Sequence, residues 1–296
     1  MNADMQRILT LPEAMANSKE LLSQRTGKEW YVTSDPRGVP LGSGGGTVYV
    51  LYNAWKDTGG GMSFVEWLTS SQKLIIHGGG MSRRLPSYSV TGKPLIPIPV
   101  LRHSCGQRFD QCWLDVQTPY YESLLEWGGP EYCVMVSSGD VLLRFDDRLA
   151  SVPSCDILAL GMKVQPREAE HFGVFFTKPG NDKVDYFLQK PNAEDIEQRS
   201  IQNRFLVDTG MWLMSVKAVM TLMEICGWDN ESQTFKNVHP ERYELYASFG
   251  LSLGENPTNI DKRINKLSST VISLRHPEFY HLGTSRDIIQ TFTVLQ

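Results

Sequence analysis

The chain has 296 residues, 41% of them hydrophobic and 21% charged, with a net charge of −4 and a pI near 5.9. That length buries a substantial core, as one large domain or two small ones, and the acidic balance excludes general nucleic-acid binding. No stretch approaches 18 apolar residues and the start, with Asp4 and Arg7, has no leader-like apolar run, so neither a membrane span nor secretion is expected.

Five cysteines (105, 112, 133, 155, 226) form no C-x-x-C pair. They read as reduced, packed thiols of a cytosolic α/β protein. In chain order, Thr10-Leu-Pro-Glu13 predicts a capping box and a first helix closing near Gly27. Trp30 to Val32 is a short strand and Ser34 to Gly38 a turn. Leu41-Gly42-Ser43-Gly44-Gly45-Gly46-Thr47 then reads as a glycine loop, with Val48, Leu51, Tyr52 and Trp55 at helical spacing behind it. Strand, glycine loop and helix point backbone amides and a helix dipole at a phosphate, so this loop is expected to form one wall of a nucleotide pocket. Tyr52 and Trp55 are assigned to the core, not to base stacking.

Ser63-Phe-Val-Glu66 is a second capping box, and its short helix leads to the stretch that organises the chain, Lys73 to Pro99. Leu74-Ile75-Ile76 predicts a buried strand ending at His77 and three glycines, which let a phosphate approach the backbone. Ser82, Arg83 and Arg84 follow, and Lys93 lies nine residues past Arg84. From Lys73 through Arg108 there are six Lys or Arg and no Asp or Glu, which marks a local polyanion site. Neither G-x-x-x-x-G-K-[ST] nor G-x-G-x-x-G is present.

Beyond it, a helix from Thr118 to Trp127 and a strand from Tyr132 to Val136 deliver Gly139-Asp140, a carboxylate placed where open α/β sheets bind ligands and where Mg²⁺ could be held against a triphosphate. Asp146 and Asp147 read as a solvated turn. Strands follow at Ile157 to Val164, Phe172 to Thr177 and Val184 to Leu188, the last two joined by a Pro-Gly-Asn-Asp turn and ending in Gln189-Lys190-Pro191. Phe205 to Met214 is a buried strand interrupted by Asp208-Thr209-Gly210, whose polar groups need partners such as sugar hydroxyls. Helices are expected over Val216 to Ile225 and Glu241 to Phe249, closing strands at Val271 to Leu274 and Phe279 to Leu282, and a last helix from Gly283-Thr284 onward. No Ser/His/Asp or Cys/His set is evident.

These pieces occur in the order found in sugar-1-phosphate nucleotidyltransferases. Gly79-Gly80, Arg84-Leu85 and Lys93 with Leu95, Pro97 and Ile98 resemble the signature G-G-x-G-T-R-L-x-P and P-K-x-L-x-P-I. Ser82-Arg83 stand where G-T is usual, and Gly92 precedes the lysine in place of Pro. Gly139-Asp140, Gln189-Lys190-Pro191, Asp208-Thr209-Gly210-Met211-Trp212 and Phe279-Tyr280-His281-Leu282-Gly283-Thr284 occupy the places of G-D, E-K-P, N-T-G-[IV]-[YW] and [WF]-x-D-x-G-T. More narrowly, L-G-S-G-G-G-T with H-x-G-G-x-S-x-R-x-P and G-K-x-x-x-P-I-P is similar to the fucose-1-phosphate guanylyltransferase family, the guanylyltransferase part of bifunctional L-fucokinase/GDP-fucose pyrophosphorylases.

The resemblance implies a GT-A-like, Rossmann-type α/β/α sandwich around a mixed, mainly parallel sheet, as one catalytic domain. It implies GTP and L-fucose 1-phosphate as substrates, GDP-fucose and pyrophosphate as products, and no nucleic-acid or membrane partner. A mannose-1-phosphate guanylyltransferase, a uridylyltransferase and a non-catalytic nucleotide-sugar-binding relative remain as alternatives. Arg84 and Lys93 are assigned to the triphosphate and leaving pyrophosphate, solvent-facing without substrate; Asp140 to Mg²⁺, with Mn²⁺ as the alternative; Lys190 to the sugar phosphate. Gly42, Ser43, Gly44, Gly45, Gly46, Thr47, Gly79, Gly80 and Ser82 are assigned to the nucleotide, and Gly173, Asp208, Thr209, Gly210 and His281 to the sugar side. His281 stands where relatives place a metal-binding Asp; the reading taken is that it contacts phosphate or sugar and leaves the metal to Asp140. With no G-L-G-S-S kinase loop, the chain is expected to be a fragment without a kinase domain or β-helical extension, fused to or oligomerising with further domains in the full-length protein.

Overall fold

The computed structural model describes residues 5–15, 20, 22–23, 29–79, 84–98, 110–145 and 151–295. Its strands are β1 (Gln6–Thr10), β2 (Trp30–Thr33), β3 (Lys73–His77), β4 (Val134–Ser138), β5 (Val141–Arg144), β6 (Ile157–Met162), β7 (Gly173–Thr177), β8 (Val184–Gln189), β9 (Arg204–Met214), the two-residue β10 (Trp228–Asp229) and β11 (Thr234–Phe235), β12 (Ser269–Ser273) and β13 (Glu278–His281). Along the main sheet the order is β12-β6-β9-β4-β3-β1-β2, with the β7–β8 hairpin attached through β7 to β9. Six strands of that path run in one direction and β9 alone runs against them.

A parallel sheet of this kind needs both faces covered, which is why its strands read as continuous apolar runs. Ile8, Ile75, Val134 and Val136 face the helices α1 (Gly42–Thr58), α2 (Phe64–Ser70) and, after α3 (Trp113–Gly128), α4 (Pro166–Ala169) and α5 (Ala193–Ser200), the helix α6 (Val216–Ile225). Leu9, Leu74, Ile76 and Met135 point the other way, onto Tyr121, Leu124 and Leu125 of α3. The fold is therefore an α/β/α sandwich around a mixed, mainly parallel sheet. The last helix, α7 (Ser285–Val294), is capped by Thr284, whose hydroxyl accepts from Asp287 N–H.

In the middle of β9 the ladder breaks. Three residues, Thr209 to Met211, face one residue of β6, Leu160, and Gly210 takes φ 74°. The bulge bends β9 so that its first half pairs with the β7–β8 hairpin and its last residues with β4.

Several expectations change. Gln6–Thr10 is a strand, so Thr10 ends β1 and does not cap a helix; of the helix expected up to Gly27, Glu13–Met15 form a 3₁₀ turn and residues 16–19, 21 and 24–28 lie outside the described residues. Helix α3 starts five residues earlier than expected, at Trp113. Glu241 to Glu244 have no regular secondary structure, and only Leu245–Phe249 coil, as a single π-helical turn. The strand over residues 278–281 does not close the main sheet but pairs with β5 in a separate antiparallel ribbon. Cys105, Asp146 and Asp147 lie outside the described residues.

Candidate active site

Beyond the carboxyl ends of β3 and β4, two cavities meet. The smaller, ≈ 230 Å³, is lined by His77, Gly78, Gly79, Arg84, Lys93, Ser138, Asp140 and Gly283. The larger, ≈ 790 Å³, runs past Gly173, Lys190, Asp208 to Gly210 and Tyr246 to the aromatic wall of Phe172, Phe279 and Tyr280. Arg84, Ser138 and Asp140 line both. A position of this kind, outside the strand ends of an open sheet, is where the topology leaves a crevice.

Asp140 is the centre of the junction. The β4 strand ends at Ser138, and the turn into β5 aims the Asp140 carboxylate back over the strand ends. Lys93 Nζ lies 2.6 Å from Oδ2, His281 Nε2 3.4 Å from the same oxygen, and Ser138 Oγ donates to Oδ1 at 2.5 Å. Burial opposes the charge, yet bonding from His281 and the charge of Lys93 hold the carboxyl well below the usual carboxylate range. Glycine at 139 is required here, because an added Cβ would sit 2.6 Å from Pro94 Cγ and 2.9 Å from the His77 carbonyl. The sequence placed Lys93 in solvent; in the structure its side chain is only 15% exposed and is committed to Asp140. Arg84 is exposed, as expected.

On the other side, Asp208 is buried at the β9 bulge, where Oδ1 accepts from Gly210 N–H (2.9 Å) and Trp212 Nε1–H (3.1 Å). Burial outweighs those bonds and pushes its carboxyl up to about 7. Thr209 Oγ1 donates to the Leu160 carbonyl, and Tyr246 OH donates to the Gly210 carbonyl. Lys190 follows β8 in a left-handed conformation (φ 52°) and is exposed at the cavity. Gly173, Asp208, Thr209, Gly210, Lys190 and His281 thus share one cavity, as the motif order had grouped them.

The first glycine segment is a correction. Gly42 to Thr47 are not an open loop but the first turns of α1. Their outward amides are taken: Ser43 N–H donates to Glu244 Oε2 (3.2 Å), and Gly44 and Gly45 N–H donate to the Tyr243 carbonyl (2.9 and 3.1 Å). A Cβ on Gly45 would lie 2.7 Å from the Glu241 carbonyl, so the glycines let the 241–245 segment pack on the helix. None of the six residues lines either cavity. Lys73, counted as part of the basic stretch, is also not in the site: it is buried, its ammonium held by the Trp67, Leu68 and Ser71 carbonyls. Gly80, Ser82 and Arg83 lie outside the described residues. Sequence reasoning overlooked Ser138, whose hydroxyl braces Asp140, and Tyr246; Ser138 was signalled by its place at the strand end, Tyr246 by nothing local.

The residues present fit a divalent ion in one way. Among the described residues no group of three or more His, Cys, Asp or Glu could hold a metal. A single carboxylate, Asp140, stands at the junction, and a single carboxylate suits Mg²⁺ that takes its remaining ligands from substrate phosphates and water. No helix among the described residues is long and apolar enough to cross a membrane.

Sandwich topology and a cationic crevice at the strand ends place the protein in the doubly wound α/β class. The chain belongs to the fucose pyrophosphorylase family, whose domain matches residues 66–259. It is 37% identical over 293 residues to the L-fucokinase/L-fucose-1-P guanylyltransferase of Bacteroides fragilis, covering 99% of this chain and 30% of that protein. The bifunctional fucokinase/GDP-fucose pyrophosphorylase of Arabidopsis thaliana is 23% identical over 300 residues, 86% of this chain and 28% of that protein. The chain therefore spans less than a third of either relative. HddC from Yersinia pseudotuberculosis superposes with a TM-score of 0.45 at 12% identity, over 98% of this chain and 79% of that one, a likeness too low to carry an argument.

Proposed function

We propose that this chain is a sugar-1-phosphate guanylyltransferase that converts GTP and L-fucose 1-phosphate to GDP-fucose and pyrophosphate. The observation that carries the reading is the junction of the two cavities at Arg84, Ser138 and Asp140, where a small pocket lined by Arg84 and Lys93 opens into a larger one that carries Lys190 and Asp208. Family membership supports the substrate pair.

The sugar phosphate, with a second pKa near 6, is largely dianionic at pH 7 and needs no general base. Its oxygen attacks the α-phosphorus as the bond to the β-phosphate oxygen breaks, and positioning with charge neutralisation is what the protein must supply. Arg84 and Lys93 neutralise the triphosphate and the departing pyrophosphate. Lys190 takes the incoming sugar phosphate, and Gly173, Asp208, Thr209, Gly210 and His281 take the sugar side. Asp140 would hold a Mg²⁺ ion, which would supply further neutralisation of the phosphates. Gly42 to Thr47 are removed from the nucleotide contacts, because Glu244 and Tyr243 already hold their amides.

Pyrophosphate release across four nucleoside triphosphates and a panel of sugar 1-phosphates tests the reading. GTP with fucose 1-phosphate is expected to give the highest kcat/KM. Another preferred pair would reassign the substrate, and release with no pair would leave a binding protein.

A further inference from the structure

Residues of the two glycine motifs meet at His77, whose ring lies between Thr10 and Thr47. Gly78 N–H is shared between the Thr10 carbonyl (2.9 Å) and Thr10 Oγ1 (3.1 Å), and Gly79 N–H donates to Thr10 Oγ1 at 3.2 Å. With that oxygen occupied by two donors, the Thr10 hydroxyl proton is directed at His77 Nδ1, 3.4 Å away. On the opposite edge of the ring, Thr47 Oγ1 lies 2.9 Å from His77 Nε2. Thr47 spends its own proton on the Ser43 carbonyl one turn back (2.8 Å), so it accepts from His77 Nε2–H. The imidazole is thereby fixed as the neutral Nε2–H tautomer. Burial, which pulls His77 down to about 4, agrees with a neutral ring.

His77 also acts through its backbone. Its carbonyl accepts from Gly139 N–H (2.9 Å), the residue before Asp140. The other end of the chain of bonds continues through α1: Ser43 Oγ donates to Glu244 Oε2 (3.1 Å) and accepts from Leu245 N–H (2.8 Å). One residue on, Tyr246 holds the Gly210 carbonyl at the floor of the larger cavity. Both ring nitrogens of His77 are used inside the protein, which leaves neither for substrate.

We propose that His77 is a positioning residue, clamped between Thr10 and Thr47, that locks the start of the Gly78-Gly79 loop and the Asp140 turn in register for nucleotidyl transfer. On this inference the Gly42–Thr47 segment serves the reaction by holding His77 and not by contacting the nucleotide. The inference rests on the transferase reading given above, and its test separates the two.

Thr47→Val removes the hydroxyl at nearly constant volume, Thr47→Ser keeps it, and His77→Leu removes both ring nitrogens. Two readouts are taken on the intact chain: steady-state pyrophosphate release and amide hydrogen exchange at Gly78 and Gly79. Thr47→Val is expected to lower kcat about 10- to 100-fold, the size of effect a slightly misplaced site produces, with little change in either KM. Thr47→Ser should restore kcat. The His77→Leu/Thr47→Val double variant should be no worse than His77→Leu alone, because the two residues act as one unit. Exchange at Gly78 and Gly79 should speed up in Thr47→Val while the melting temperature stays near that of the parent. Unchanged exchange overturns the proposal whatever the rate, and so does a double variant whose losses add. If the parent transfers no nucleotide but Thr47→Val still speeds exchange, the transferase reading falls and the clamp stands.

Discussion

Replacing Lys93 by Met should damage both the reaction and the fold, and the second effect should depend on pH. The ammonium lies 2.6 Å from Asp140 Oδ2, with the side chains only 15% and 19% exposed, so water replaces little of what is lost. A hydrogen bond to a charged group is worth about 2 kcal/mol, which for a chain of this size corresponds to a fall in Tm of about 3 °C at pH 7. His281 and Lys93 together pull the Asp140 carboxyl below its unfolded value, so the stabilisation is full above about pH 4, where the unfolded carboxyl ionises. It declines as pH falls through the folded value. The gap in Tm between parent and Lys93→Met, measured by calorimetry, should therefore be constant from pH 7 to 5 and narrow toward pH 3. Turnover at pH 7 should drop by about 10²–10³-fold in kcat/KM, the usual effect of removing one stabiliser of developing charge. A variant with parental Tm at pH 7, or a gap that is the same at pH 3, would refute the ion pair as described.

Gly45→Val should fail to accumulate as folded protein or melt well below the parent in a thermal scan, since its Cβ meets the Glu241 carbonyl at 2.7 Å; overpacking of this kind costs about 1–3 kcal/mol or more. Asp208→Asn keeps an acceptor for Gly210 and Trp212 but no ionisable group. Because the folded carboxyl is raised to about 7, the parent loses stability as pH rises from about 4 to 7, and denaturant titrations should show the variant gaining on it across that range and not below. His281→Ala should cost far less turnover than Asp140→Asn and leave the Mg²⁺ over Mn²⁺ preference unchanged; a Mn²⁺ advantage in the parent that vanishes in His281→Ala would make the imidazole a metal ligand.

Much of the fold was legible because its strands carry unbroken apolar runs and its turns carry glycine and proline. β3, β4, β6 and the β7–β8 hairpin came out close to their observed bounds, and α6 matched at both ends. Elements whose conformation depends on distant chain did not. Gly42 to Gly46 have poor helix propensity on their own, and they coil because residues 241–245, some two hundred positions away, cover them. Thr10-Leu-Pro-Glu13 has the pattern of a cap, but the chain before it pairs with both β2 and β3, and pairing overrides the local signal. Lys73 counted toward the polyanion site because nothing in a linear reading shows that three carbonyls will surround it. The grouping of Arg84, Lys93, Asp140, Lys190 and His281 could be read from motif order, and the structure brings these residues to two adjoining cavities.

The bulge in β9 has a bearing on how such a pocket diversifies. Lys190 and Gly173 ride on a hairpin carried by the first half of that strand, whereas Asp140 follows a strand paired to its second half. Between the halves stand only Thr209, Gly210 and Met211. Both halves also pair with β6, where Leu160 alone spans the break, so their spacing is set by one residue of β6 and not by the length of the bulge. The separation of Asp140 from Lys190 is thus gauged by a count of backbone units, like the jaws of a caliper. A one-residue change in β6 at that point would move the two by about 3.3 Å, a displacement that inspection of pocket side chains alone would overlook.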